Sequence, residues 1–220
     1  MGEPMKGFLA VASHRSAVLT KRGAEAELRR TEFLGRAAIE KARVPKAYRL
    51  PELDATIRRS RIRMEARLMT ESRAAGVSVP TVYDVDMAAG TLVMEFIEGP
   101  TVKQVFDEGG PAALEVARQV GQVVGRLHRA GIVHGDLTTS NMILRDGRIV
   151  MIDFSLGAKD PGREARGVDL HLLREGLVSA HARATTYYRE VLRGYREIQG
   201  RDAEPVIATV KEIEGRGRYT

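Results

Sequence analysis

The spacing of apolar and polar residues in the first part of the chain predicts short extended segments, then one long helix, and then two further strands. Residues 17 to 43 form short extended segments that Gly23 and Gly35 interrupt, and "GRAAIEKARV" is typical of a third strand. Between Pro51 and Gly76, apolar residues recur at roughly helical spacing; they are Leu53, Ile57, Met64, Leu68 and Met69. Two further strands are predicted in "TVYDVDMA" and "TLVMEFIE". This pattern predicts a small antiparallel sheet of five strands with one helix.

After Gly99-Pro100 the pattern changes to helices. The stretch "PAALEVARQVGQVVGRLHRAG" begins with a proline, which is favoured in the first helical turn, and carries an apolar stripe of Leu114, Ala117, Val120, Val124 and Leu127. "NMILRDGRIVMID" predicts two short strands around the turn Asp146-Gly147. Helices with short connections are predicted beyond Asp169. The fold class is therefore α+β, with a sheet-rich lobe in residues 1–98 and a mostly helical lobe in residues 99–220.

Composition and charge narrow the class of protein. With 220 residues and 43% apolar content the chain can bury a core, and the lack of cysteine excludes disulfides and thiolate metal sites. The longest apolar run near the start, "GFLAVAS", is too short to span a bilayer, so we expect a cytoplasmic protein without a membrane partner. Residues 1–80 carry 17 Lys and Arg against 9 Asp and Glu, which favours an anionic partner for this part. A solvated basic helix is the alternative.

The stretch "GIVHGDLTTSNMILRDGRIVMIDFSLG" concentrates polar residues around one hairpin. The catalytic core of protein kinases has an aspartate, four intervening residues, an asparagine, a hairpin and then a second aspartate. This chain has the same order, with Asp136, Asn141 and Asp153 in these positions. Each residue alone could be a loop or turn former, but the joint pattern is much more specific. Phosphoryl transfer requires a held magnesium ion and an oriented acceptor, so we predict Asn141 and Asp153 as metal ligands and Asp136 as the catalytic residue. His134 is predicted to hold the loop by hydrogen bonds.

A kinase also needs a lysine on the third strand and a glutamate on the helix behind it. Lys41 in "IEKARV" and Glu65 in "RMEARLM" are the candidates for holding the ATP phosphates. Lys46 is the rival lysine, although it follows a proline beyond the predicted strand. For Glu65 the alternative is a surface pair with Arg61 on the same helix.

The remaining ATP contacts are less well marked in the sequence. Backbone groups from Glu95 to Ile97, at the end of the last strand of the sheet, are predicted to bind adenine. There is no Gly-x-Gly-x-x-Gly loop, and only Gly23 in "KRGAEAEL" is available to cover the phosphates. The phosphate cover is therefore expected to be thinner than in ordinary kinases.

Other departures from the kinase pattern concern regulation. Gly135 stands where kinases have the arginine that binds a phosphorylated activation loop, and Ser155 replaces the usual glycine after Asp153-Phe154. No Ala-Pro-Glu follows, and eleven residues separate Gly157 from Asp169. This leaves little room for an activation loop or a platform for peptide substrates.

These departures, with the segments "GAEAEL", "KARVPKAYRLPELD", "RIRMEARLM", "HGDLTTSNMI", "DFSLG" and "GVDLHLL", closely resemble one family: the small atypical kinase and ATPase of the KEOPS complex. The resemblance runs from about Leu19 to the C-terminus. It implies a minimal two-lobed protein-kinase-like fold that binds ATP and Mg²⁺. It also implies a serine/threonine kinase or ATPase that supports threonylcarbamoyladenosine formation on tRNA.

The resemblance further implies partners, namely the tRNA threonylcarbamoyltransferase subunit, other KEOPS subunits and tRNA. The terminal "GRGRY" matches a tail implicated in tRNA contact, so Arg216 and Arg218 are predicted to bind tRNA, after a helix that ends near Glu214. Two alternatives stay open. One is a RIO-like kinase of ribosome assembly, which also has "HGDL". The other is a non-catalytic, kinase-shaped adaptor that binds tRNA or protein.

Overall fold

A five-stranded antiparallel sheet opens the fold. The structure, a computed structural model, describes residues 18–22, 26–159 and 162–216; Gly23 and Arg218 lie outside these ranges. The strands are β1 (Val18–Arg22), β2 (Ala26–Phe33), β3 (Arg36–Arg43), β4 (Val82–Asp86) and β5 (Thr91–Glu95). Their spatial order is β1-β2-β3-β5-β4, so β3 lies in the middle of the sheet. The predicted five strands are confirmed.

One long helix, α1 (Pro51–Ala74), connects β3 to β4. It begins with a proline in the first turn and carries Glu52 and Asp54 there, where carboxylates interact favourably with the helix dipole. The predicted apolar face is wrong at two positions, because Leu53 and Met64 are 52% and 39% exposed. The face that packs inward consists of Asp54, Ile62, Glu65, Leu68, Met69 and Ser72. Polar residues on the buried face hid its period from the sequence pattern.

The rest of the described chain is mostly helical, as predicted. Its helices are α2 (Val102–Glu108), α3 (Pro111–Arg129), α4 (Arg163–Ala180), α5 (Ala184–Gln199) and α6 (Ala203–Arg216). Two small antiparallel pairs lie between α3 and α4: β6 (Ile132–Val133) with β9 (Ala158–Lys159), and β7 (Met142–Arg145) with β8 (Arg148–Met151). The predicted α+β class is confirmed, whereas the lobe boundary at residue 98 stays a prediction.

Two predicted helix limits need correction. Helix α4 begins at Arg163, before Asp169, so the segment available for an activation loop is shorter than the sequence indicated. Helix α6 continues through Gly215 to Arg216 instead of ending near Glu214. A glycine inside a helix costs only about 1 kcal/mol relative to alanine, which neighbouring helical residues can offset.

The helical part is built around the packed pair of helices α3 and α5. Glycines let the two backbones touch: a Cβ atom on Gly121 would lie 1.9 Å from the carbonyl oxygen of Val191, and one on Gly194 would lie 1.9 Å from that of Arg118. The predicted stripe of α3 is buried except for Leu114, which is partly buried. A single hydrophobic cluster includes residues of this helix pair and of α1 and β5. None of the helices within the described ranges is long and apolar enough to cross a membrane.

Candidate active site

A buried ion pair joins the sheet to the helix behind it. Lys41 on β3 and Glu65 on α1 are 4% and 1% exposed, and the Lys41 Nζ lies 2.6 Å from the Glu65 Oε1. Residues two apart on a strand share a face, and Arg43 therefore reaches the same carboxylate, with its Nη2 2.9 Å from Oε2. Buried charges are tolerated only when they are paired. The structure thus brings the predicted pair together and adds a second cation that the sequence reasoning missed.

The two sequence alternatives for this pair do not fit the structure. Lys46 lies beyond the end of β3, in the segment before α1, and its backbone N–H donates to Asp54 at 3.3 Å. Glu65 is not a surface residue, because its carboxylate is buried against Lys41 and Arg43. Lys41 is therefore the lysine of the central strand.

Lys41 also reaches the end of the hairpin β7–β8. Its Nζ donates to the Asp153 Oδ1 at 2.8 Å and to the Ser155 Oγ at 2.6 Å. Asp153 has a φ of +63°, in the left-handed region, and its side chain is 43% exposed. Partial burial alone would raise the pKa of the Asp153 carboxyl, but the charge of Lys41 and hydrogen bonds from Lys41 and Ser155 lower this pKa to about 2. Asp153 is ionised at neutral pH.

Asp136 and Asn141 lie on the same loop and contact each other. The Nδ2 of Asn141 donates to the Asp136 backbone oxygen at 2.9 Å and to its Oδ2 at 2.8 Å. A single 3-10 turn, Thr139–Asn141, sets this geometry. The Ile152 N–H donates to the Asn141 carbonyl at 3.0 Å, which brings Asn141 next to the segment that carries Asp153. The three predicted catalytic and metal-binding residues therefore converge at the base of one hairpin.

Hydrogen bonds to buried groups hold the loop before Asp136. His134 is fully buried, and its Nε2–H donates to the Ile152 carbonyl at 3.0 Å, which is the structural role predicted for it. The backbone N–H groups of His134 and Gly135 donate to the carboxylate of Asp169 at 2.6 and 2.8 Å. Burial would raise the pKa of Asp169, but hydrogen bonds from His128 and from these N–H groups leave it lowered. The sequence pattern of "GVDLHLL", which contains Asp169, did not indicate this role.

The glycine that replaces the kinase arginine has a steric reason. Gly135 has a φ of +77°, and a Cβ atom there would lie 2.1 Å from the carbonyl oxygen of Leu156. No L-amino-acid side chain fits without moving the Asp153 segment. The close approach of the two loops therefore requires glycine.

The segment after β5 carries the predicted adenine contacts. The backbone N–H groups of Glu95 and Phe96 are used within the sheet, by Thr81 and Ala37 at 2.8 and 3.1 Å. The Glu95 carboxylate binds Arg145 at the end of β7 at 2.5 Å. The side chain of Glu95 thus ties the sheet to the hairpin, and adenine binding by the backbone of Glu95 and Ile97 stays a prediction.

This chain is similar to one family model and to several known proteins. A family model described as the RIO domain matches residues 52–159. The KEOPS complex subunit Bud32 of Pyrococcus abyssi is 44% identical over 210 residues, covering 91% of this chain and 96% of its own length. The EKC/KEOPS complex subunit Tp53rkb of Mus musculus is 38% identical over 227 residues, covering 96% and 93%.

A longer relative matches as well. A probable bifunctional tRNA threonylcarbamoyladenosine biosynthesis protein of Methanobrevibacter smithii is 41% identical over 203 residues, which cover 92% of this chain. The match spans only 37% of the length of that relative. The similarity therefore concerns one part of a longer protein in that organism and nearly a whole protein in the other two.

Proposed function

The chain belongs to the family of the KEOPS complex subunit Bud32, and on this premise we propose that it is an atypical kinase or ATPase that binds Mg-ATP and supports threonylcarbamoyladenosine biosynthesis on tRNA. One observation carries the proposal: a buried lysine joins the Glu65 carboxylate of α1 to the Asp153 carboxylate beyond the hairpin, at 2.6 and 2.8 Å. A cation held between these carboxylates, beside a loop with Asp136 and Asn141, suits phosphoryl transfer.

Asn141 and Asp153 fit a magnesium ion. Mg²⁺ takes oxygen ligands, with one or two from the protein and the rest from phosphates and water. Asp153 is ionised and 43% exposed. Asn141 uses its Nδ2 to bind Asp136, so its Oδ1 is the free end of the amide among the described contacts. When bound, the ion would neutralise charge on the transferred phosphate.

The other side chains have distinct roles in this proposal. Lys41 would bind the α and β phosphates, and Glu65 would hold the lysine in place. Asp136 would orient the attacking oxygen, which belongs to a protein serine or threonine or to water. The backbone from Glu95 to Ile97 would bind adenine, and Gly23 would cover the phosphates.

The names of the relatives support the proposed partners. Two are named as KEOPS subunits, and one is named as bifunctional in tRNA threonylcarbamoyladenosine biosynthesis. We infer that this chain works with a tRNA threonylcarbamoyltransferase subunit and other KEOPS subunits, and that Arg216 and Arg218 contact tRNA. The RIO-domain match favours a second candidate, a RIO-like kinase of ribosome assembly. A cytoplasmic location stays a prediction.

The test is magnesium-dependent ATP turnover by the purified chain and three variants. Asp136→Ala, Asp153→Ala and Lys41→Ala should each lose more than about tenfold in rate, since each removes a group proposed to act on the reacting phosphates. Lys46→Ala is the matched control and should stay near the parent. Circular dichroism checks that the variants remain folded.

The outcomes separate the candidates. Turnover of Asp136→Ala and Asp153→Ala within about threefold of the parent would contradict the catalytic assignment. A parent without turnover that still binds tRNA would favour the adaptor. Copurification with ribosome-assembly particles instead of KEOPS subunits would favour the RIO-like candidate.

A further inference from the structure

Ser155 forms a bridge that the usual glycine at this position cannot form. Its Oγ accepts a hydrogen bond from the Lys41 Nζ at 2.6 Å and donates one to the Asp153 Oδ1. Its backbone N–H donates to the same Oδ1 at 3.3 Å. The hydroxyl thus connects the two residues proposed to bind the phosphates and the metal.

The bridge concentrates donors on one carboxylate oxygen. The Asp153 Oδ1 is bound by the Lys41 ammonium at 2.8 Å and by both the hydroxyl and the N–H of Ser155. A metal ion that approaches this carboxylate meets the positive charge of Lys41 beside it, and like charges at this separation repel strongly where water is partly excluded. Metal binding at Asp153 therefore competes with the bridge.

Nucleotide binding would relieve this competition. The phosphates of ATP would draw the Lys41 charge to themselves and leave the Asp153 carboxylate to the metal. Ser155 strengthens the Lys41–Asp153 contact because it binds both partners and fixes their relative position. Its effect should be largest when no nucleotide is present.

We propose that Ser155 is a positioning residue that holds Lys41 on Asp153 in the nucleotide-free protein. This contact keeps the divalent cation from binding before ATP. The proposal rests on the proposed function. The cation and the nucleotide then bind cooperatively. A chain with glycine at this position would lack the hydroxyl and would show weaker coupling between the two ligands.

The experiment is a titration of the full chain with Mn²⁺, followed by the electron paramagnetic resonance of the free ion. Without nucleotide, Ser155→Ala and Ser155→Gly should bind Mn²⁺ at least about tenfold more tightly than the parent, because each removes the two hydrogen bonds of the hydroxyl to charged groups, and the loss of one alone corresponds to about tenfold. Ser155→Thr keeps the hydroxyl and should restore the parent affinity. With a non-hydrolysable ATP analogue present, all four proteins should reach similar affinities.

Each outcome decides a different statement. Equal or weaker Mn²⁺ affinity of Ser155→Ala without nucleotide would overturn the role of Ser155, while the proposed function would stand. Asp153→Asn tests the proposed function separately from the role of Ser155. If this variant binds Mn²⁺ as tightly as the parent in the presence of the ATP analogue, the proposed metal site is refuted. Thermal unfolding of each variant shows that it is folded, and Ser155→Gly carries the test if Ser155→Ala is unstable.

Discussion

Replacing Glu65 with alanine removes the anion from a buried three-residue cluster. The Glu65 side chain is 1% exposed, and those of Lys41 and Arg43 are 5% and 2% exposed. The carboxylate binds the first at 2.6 Å and the second at 2.9 Å. After the substitution, two cations remain in a region that water reaches poorly, so we expect a large loss of stability.

The magnitude follows from the contacts that remain. Loss of one partner from a buried ion pair costs about 3–5 kcal/mol, because the other charge is left uncompensated. Lys41 keeps Asp153 at 2.8 Å, so the second cation should not double this cost, and we expect about 4 kcal/mol. For a chain of this size, 1 kcal/mol corresponds to about 2–4 °C in Tm. The Tm of Glu65→Ala should therefore fall by about 8–16 °C.

Glu71→Ala is the matched control for this measurement. Glu71 lies on the same helix and also binds one lysine and one arginine, Lys159 at 2.8 Å and Arg67 at 2.7 Å, but its side chain is 28% exposed. Surface pairs contribute about 0.5 kcal/mol each, so the loss of both pairs should lower the Tm by only about 2–4 °C. Both variants are measured by calorimetry at pH 7 without nucleotide. Equal Tm changes would refute the argument that burial determines the effect of Glu65.

Three other outcomes are expected. Asp169→Asn should lower stability by a constant amount from pH 8 to 5 in urea unfolding. The difference should shrink below about pH 4, because a carboxyl with a pKa below its ordinary 3.8 loses its contribution as pH falls through the lowered value. Gly135→Ala should cost at least about 2 kcal/mol by the same assay, since its Cβ would lie 2.1 Å from the Leu156 carbonyl oxygen. Deleting residues 215–220 should weaken tRNA binding severalfold in gel shifts at low salt, and unchanged affinity would exclude a role for the tail.

Residues that belong to a spaced motif were predictable from the sequence. The Asp-Gly turn predicted the hairpin, and the spacing of Asp136, Asn141 and Asp153 predicted a polar cluster beside it. Both signals point to the same local structure. Lys41 could be chosen over Lys46 since a proline follows the third strand and limits its length. These inferences needed only local chemistry and known spacing.

Contacts between distant segments were not predictable in the same way. Arg43 looked like one of many arginines in a basic region, and only the position of β3 next to α1 shows that it shares the Glu65 carboxylate. The contact of Ser155 with Lys41 spans 114 positions. Leu53 and Met64 follow the helical period but are exposed, because polar Asp54 and buried Glu65 occupy the inner face with their cations. Hydrophobic periodicity cannot detect a buried face that is partly ionic.

A buried chain of hydrogen bonds connects three helices to the loop that carries Asp136. The hydroxyl oxygen of Tyr195 on α5 lies 3.0 Å from the Nδ1 of His128 on α3. The Nε2 of the same histidine lies 3.3 Å from the Oδ2 of Asp169 on α4. Asp169 accepts the two backbone N–H groups directly before Asp136. The side chains of Tyr195, His128 and Asp169 are buried, so each broken bond would leave a polar group without water. Buried side chains of the helical core therefore hold the backbone directly before Asp136 in place.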